Sequence, residues 1–222
     1  LPTKNKLNQI SHGTIDNIIF IDDSVNEAAT NAGYQTFIPN ASIIANALKK
    51  QRFWRYRGTN PIKEIYKVAK LKVGFDYFLT KTNLPWLKYQ DGDTYLIFDN
   101  YIRMMNDYTK VYPYPKVFNQ SIIKGCCTSD RMEHYFQGGT GLLMSRKAVE
   151  KFVENWDHFF NTFNNFEDRA VTKLVLDSCV SLTELSSTYF IGDTVKPEFI
   201  DFTKNGNFEN LPKCPNNHPH TR

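Results

Sequence analysis

The sequence predicts an α/β protein, and three observations carry that expectation. The run Asn17-Ile18-Ile19-Phe20-Ile21-Asp22-Asp23 is short, continuously apolar and closed by two acids. That is the pattern of a buried parallel strand whose carboxy end meets a ligand crevice. Residues 60–74 join helix punctuation to helical spacing, and Leu142-Leu143-Met144 runs straight into a second amphipathic pattern. Strands alternating with helices in this way imply a sheet built with crossover connections.

Taken in order, Tyr34-Gln35-Thr36-Phe37-Ile38, closed by Pro39-Asn40, is the strand after the first. A helix follows, with Asn60 as its cap, Pro61 in the first turn and Gly74 at its end; Ile62, Ile65, Tyr66, Ala69 and Val73 form its buried stripe. Two strand-like runs, Pro85-Trp86-Leu87-Lys88-Tyr89 and Thr94-Tyr95-Leu96-Ile97-Phe98, then flank Asp91-Gly92-Asp93. Gly138-Gly139-Thr140-Gly141 precedes the strand at Leu142, and Ser145 caps a helix whose Val149, Phe152, Val153, Trp156 and Phe160 share a core face. Glu167-Asp168 opens a further helical pattern with Val171, Leu174 and Val175 on one side, and the tail from Thr203 reads as irregular.

At 222 residues, 41% hydrophobic and 23% charged, the chain can bury one sizeable core, so a single domain over residues 1–222 is expected. The net charge of +4 comes from scattered Lys and Arg rather than blocks, which gives no case for nucleic acid. No stretch reaches the roughly 18 consecutive apolar residues of a membrane span, so membrane attachment would come only through an anchor outside this chain. Cys126, Cys127, Cys179 and Cys214 lack the paired spacing of a zinc site. Their even number, with the sequons Asn40-Ala41-Ser42 and Asn119-Gln120-Ser121, leans toward an oxidising secretory compartment.

Several short motifs could carry chemistry, and each has a plainer alternative. Asp91 and Asp93 can both approach a divalent cation where the chain turns at Gly92, oxygen ligands suiting Mn²⁺ or Mg²⁺. The same residues would also build an Asp-Gly hairpin. Gly138, Gly139 and Gly141 could let a phosphate or substrate approach the backbone, or could be a simple glycine turn; P-loop and dinucleotide spacings are absent. Glu167 and Asp168 could supply a general base or merely offset a helix dipole. His218 and His220 are solvated tail residues unless one of them ligates the metal.

Taken together these stretches resemble the β1,3-glycosyltransferases of family 31, with its Fringe and core 1 β1,3-galactosyltransferase branches. "WLKYQDGDTYLIFDNYIRMM" is similar to that family's D-x-D-T-Y-V block followed by D/E-N-L-R. "YFQGGTGLLMSRKAVEKFV" is similar to its G-G-A-G-Y-V-L-S block, "FEDRAVTKLV" to its E-D helix start, and "IKEIYKVA" to its K-T-K-x-A segment. The four matches occur in the family's order. Arg169, Thr172 and Leu174 depart from the usual pattern after the E-D pair, and Cys179 lies beyond the family's helix cysteine.

The resemblance implies a single Fringe-like GT-A domain, Rossmann-like, with a mixed and mostly parallel sheet flanked by helices. The family has a strand and helix ahead of the segment matching 17–23, so the expectation is a domain lacking that first pair. It also implies an inverting, metal-dependent hexosyltransferase that moves a hexose or N-acetylhexosamine, galactose favoured, from a UDP-sugar to a glycan or glycoprotein hydroxyl in β1,3 linkage. In that reading Asp91, Asp93 and His218 hold Mn²⁺ or Mg²⁺, and Asp22 and Asp23 sit beside the nucleotide. Asp91, Gly138, Gly139 and Gly141 shape the donor pocket, and Asp168 is the base with Glu167 supporting it. The implied setting is the Golgi or ER lumen, or secretion, and a homodimer is compatible with it. The alternative is a catalytically inactive Fringe-like glycan-binding or chaperone protein.

Overall fold

A computed structural model describes residues 4–5, 18–22, 24–40, 42, 61–91, 95–96, 98–125, 127–129, 134–136, 141–156, 171, 181–184 and 190–191. The chain divides into two compact units, residues 1–83 with 152–170, and residues 84–151 with 171–222.

In the first unit, strand β1 (Ile19–Ile21) pairs in parallel with β2 (Gln35–Phe37), and the ladder is extended by the Asp22 N–H donating to the Phe37 carbonyl at 3.0 Å. The parallel pairing expected from the apolar run is present, although β1 is half-buried rather than fully enclosed. Helix α1 (Glu27–Asn31) connects the two strands. Its first turn is capped by Asn26, whose Oδ1 accepts from the Ala29 N–H at 3.0 Å.

Helix α2 (Pro61–Lys81) starts at the expected proline but does not stop at Gly74; it continues through Phe75-Asp76-Tyr77-Phe78 to Lys81. The reason lies in packing. A Cβ at Gly74 would sit 3.2 Å from Ile21 Cδ1, so the glycine serves as a point of close approach between α2 and β1 and not as a terminator. Lys72 and Asp76 form an ion pair at 2.5 Å across that glycine, which supports the helix through it. Among the described side chains of α2, Val68, Ala69, Leu71, Phe75 and Phe78 are buried; Ala69 is buried as expected, Tyr66 and Val73 are half-buried, and the side chains of Ile62 and Ile65 lie outside those described. Phe75 meets Phe152 edge-on at 5.2 Å and Trp156 at 6.5 Å, which bears out the core reading of those two aromatics.

The second unit holds strands β3 (Trp86–Tyr89), β4 (Tyr95–Leu96), β5 (Ile122–Gly125), β6 (Cys127–Ser129), β7 (His134–Phe136), β8 (Leu142–Ser145), β9 (Ser181–Glu184) and β10 (Phe190–Ile191). Its central sheet has the order β3-β8-β5-β9, with β8 antiparallel to both neighbours and β9 parallel to β5. β4 pairs antiparallel with β10, and β6 with β7. Antiparallel ladders therefore outnumber parallel ones among the described strands, against the mostly parallel sheet expected. The cause is visible in β8, which returns between β3 and β5 in the opposite direction to both.

Helix α3 (Phe98–Val111) has no counterpart in the sequence reading, which passed over the i, i+3, i+4, i+7 spacing of Tyr101, Met104, Met105 and Tyr108. Tyr101 and Met104 bury against Leu143 of β8, with Trp86, Met105 and Tyr108 packed around them. A short 3₁₀ turn (Lys116–Asn119) leads from α3 toward β5.

β8 runs directly into helix α4 (Arg146–Glu154) through Ser145, which is fully buried. Its Oγ accepts from the Ala148 N–H at 3.3 Å, the cap expected from the sequence, and from the Ile122 N–H at 2.9 Å, while its hydroxyl donates to the Gln120 carbonyl at 2.5 Å. One hydroxyl thus fixes a helix start and the entry to β5. Ser145→Ala leaves buried backbone groups without partners, and it should lower unfolding free energy by about 2–4 kcal/mol, read as a lower urea midpoint at unchanged slope.

Candidate functional site

The candidate site begins with the strand that leads into the acids. Trp86 to Tyr89 pair in register with Ser145 to Leu142, so the carboxy end of β3 and the amino end of β8 lie side by side. Asp91 follows the first, and Gly141 precedes the second. β3 and β4, which flank these acids in sequence, belong to different sheets and are not paired with each other among the described residues.

Gly141 has φ +70°, a left-handed conformation, and a Cβ built on it would fall 1.8 Å from the Tyr89 carbonyl oxygen and 2.6 Å from Gln90 Cα. Two independent conditions thus require glycine here. The end of the Gly-Gly-Thr-Gly stretch is pressed against the backbone that immediately precedes Asp91. Of the predicted site residues, Gly141 thus lies against Tyr89 and Gln90, the two residues that lead into Asp91.

Asp91 is half-buried, and its Oδ1 accepts from the Tyr89 hydroxyl at 3.3 Å. Tyr89 was not singled out from the sequence, yet the alternation of a strand gives a signal: residues two apart share a side. Lys88 donates to the Tyr89 carbonyl at 3.0 Å. Burial pushes its ammonium down to about 7, with the Asp91 carboxylate partly opposing that fall. Leu143 is paired with Lys88 on one side and Lys124 on the other, so both lysines share a sheet face with it. Lys124 is 7% exposed and lies over the Tyr108 ring, 4.6 Å from its centroid, and 6.0 Å from that of Tyr112. Burial lowers its affinity for a proton as well, and it raises the Tyr101 phenol, with Tyr108 adding to that shift.

Asp22 lies in the first unit at the carboxy end of β1. Lys70 of α2 reaches its Oδ1 at 3.5 Å, and Asn26 Nδ2 donates to its Oδ2 at 3.4 Å. A carboxylate held beside a lysine at the end of parallel strands is the position expected from the sequence. Asp23, Asp93, Gly138, Gly139, Glu167, Asp168 and His218 lie outside the described residues, as do Cys126, Cys179 and Cys214. Among the described residues no three His, Cys, Asp or Glu side chains converge on one point, and no helix is long and apolar enough to cross a membrane. Of the three residues expected to hold a metal, Asp91 alone is described, and its carboxylate is an oxygen donor of the kind that hard divalent cations take.

No protein-family profile matches the chain. A glycoprotein-N-acetylgalactosamine 3-beta-galactosyltransferase 1 from Xenopus laevis is 35% identical to it over 82 residues. Over that stretch the chain is related to a glycosyltransferase. The match takes in 36% of this chain and 20% of the frog protein, so the chain spans about a fifth of that relative's length.

Two outcomes follow from the geometry. Gly141→Ala should destabilise the protein by about 2–4 kcal/mol, through a left-handed alanine and an overlap that forces β3 and β8 apart, measured by urea unfolding. Lys88→Met should raise the melting temperature at pH 7. The folded-state value of Lys88 is depressed to about 7 from an ordinary ~10.4. The folded chain therefore binds fewer protons than the unfolded chain between those limits, and wild-type stability rises with pH across that window. The advantage of the methionine variant should accordingly shrink from pH 7 to pH 10, followed by melting curves at several pH values.

Proposed function

We propose that this chain is an inverting, metal-dependent glycosyltransferase that moves a hexose or N-acetylhexosamine, galactose favoured, from a UDP-sugar to a glycan or glycoprotein hydroxyl in β1,3 linkage. The fold proposed with it is of the GT-A type, and the setting is the lumen of the secretory pathway. The observation that carries the reading is the seating of Gly141 on Tyr89 and Gln90, which joins the glycine stretch to the head of Asp91-Gly92-Asp93. The partial likeness to the frog galactosyltransferase supports the same class of reaction.

In this reading Asp91 and Asp93, with His218, hold Mn²⁺ or Mg²⁺. Bound there, the cation supplies positive charge to the diphosphate of the donor. Tyr89 orients the Asp91 carboxylate through its hydroxyl. Gly138 and Gly139 keep side chains away from the donor so that its sugar can approach the backbone, and Gly141 seats the end of that stretch on Tyr89. Asp22 and Asp23 contact the nucleoside, and Asp168, supported by Glu167, takes the proton from the acceptor hydroxyl as its oxygen attacks the anomeric carbon. UDP departs from the opposite face, which inverts the configuration.

Calorimetric titration with UDP and Mn²⁺, paired with a transfer assay over several UDP-sugars, tests the proposal. Asp93→Ala should weaken metal-dependent UDP binding at least tenfold. Asp168→Asn should lose about 10²–10⁴-fold in transfer while UDP binding is retained. Transfer at the wild-type rate in either variant would contradict the assignment, and a wild-type protein that binds no donor would favour the non-catalytic relative.

A further inference from the structure

We infer that Asn40 is an N-glycan acceptor. The triplet Asn40-Ala41-Ser42 has the hydroxyl residue two places after the asparagine and no proline at either following position. The sequence pattern alone is met equally by Asn119-Gln120-Ser121, and it is the structure that separates the two.

Asn40 and Ser42 are both exposed, three residues beyond the end of β2. The Ser42 N–H and the Ser42 hydroxyl each donate to Asn40 Oδ1 at 2.9 Å. Two donors on the carboxamide oxygen draw electron density toward it and fix the side-chain torsion.

At Asn119 this arrangement is absent. The residue closes the 3₁₀ turn, and no hydrogen bond links its side chain to Ser121 among the described residues. The intervening Gln120 is pinned instead, its N–H to the Val117 carbonyl at 3.2 Å and its carbonyl to the Ser145 hydroxyl at 2.5 Å. The backbone there is committed to the start of β5 and is not free to enter a transferase cleft.

The co-substrate is a polyprenyl-diphosphate-linked oligosaccharide. Asn40 Nδ2 forms the new bond to the anomeric carbon, the bond from that carbon to the diphosphate oxygen breaks with its electron pair leaving on the diphosphate, and one Nδ2 proton passes to a base of the modifying enzyme. The acceptor rests on the lumenal setting of the proposed function and on none of its catalytic or metal-binding residues, so transfer activity can fail while the glycan is found, and the reverse.

The test is secretion of the full 222-residue chain from cultured animal cells behind a cleavable leader, with peptide mapping after deglycosylation that converts each occupied asparagine to aspartate. Asn40 should be converted in most molecules and more completely than Asn119. Asn40→Asp keeps an oxygen acceptor for Ser42 and should fold and secrete as the wild type while losing that glycan. Ser42→Ala should lose the glycan, and Ser42→Thr should restore it. An unmodified Asn40 in secreted chain, or occupancy at Asn119 above that at Asn40, would overturn the inference.

Discussion

A methyl group at residue 141 would collide with the Tyr89 carbonyl oxygen, and the second unit is arranged around the absence of that group. Because residue 141 is glycine, its backbone can turn through a positive φ and lie directly on the end of β3. That contact sets the register of β8 against β3, which carries Ser145 to the far end of the pair, opposite Trp86. Ser145 then starts α4 and anchors the entry to β5. A choice at one residue thus bears on three strands, β3, β8 and β5.

The same sheet carries an uncommon electrostatic load. Lys88 and Lys124 flank Leu143, and α3 packs against Leu143 with Tyr101, Met104 and the Tyr108 ring, joined by Trp86 of β3. A buried ammonium is costly unless compensated. Lys88 is compensated by the Tyr89 carbonyl and the field of Asp91, and Lys124 by the faces of two tyrosines. The interaction with Asp91 runs both ways, since positive charge on Lys88 would compete with a cation for that carboxylate. The affinity of this end of the sheet for a divalent ion is therefore expected to depend on Lys88 as well as on the acids themselves.

Much of this was legible in the sequence where one signal dominated. The apolar run at 17–23 and the strand at 34–38 emerged as a parallel pair, and Ser145 emerged as a cap, because local chemistry decides both. Gly74 misled, because a helix-ending glycine and a close-packing glycine look alike in one dimension; only the proximity of Ile21 tells them apart. Helix α3 was hidden behind the acidic motif at its head, although its own periodicity was plain. The strand partner of the segment before Asp91 could not be read locally, since β3 pairs with β8, some 50 residues downstream. Tyr89 illustrates the remaining gap: its hydroxyl matters only once the strand has placed it beside Asp91.

The account's central claim is that Gly141 and Asp91 border one cation and nucleotide site at a single end of the β3-β8 pair. The most direct measurement is paramagnetic broadening of backbone amide resonances by substoichiometric Mn²⁺ in the presence of UDP. The account predicts that Gln90, Asp91, Gly141 and Leu142 broaden first, while Trp86 and Ser145 at the opposite end of the same strands persist. Broadening that spares Asp91 and Gly141, or that begins at Trp86 and Ser145, would contradict it.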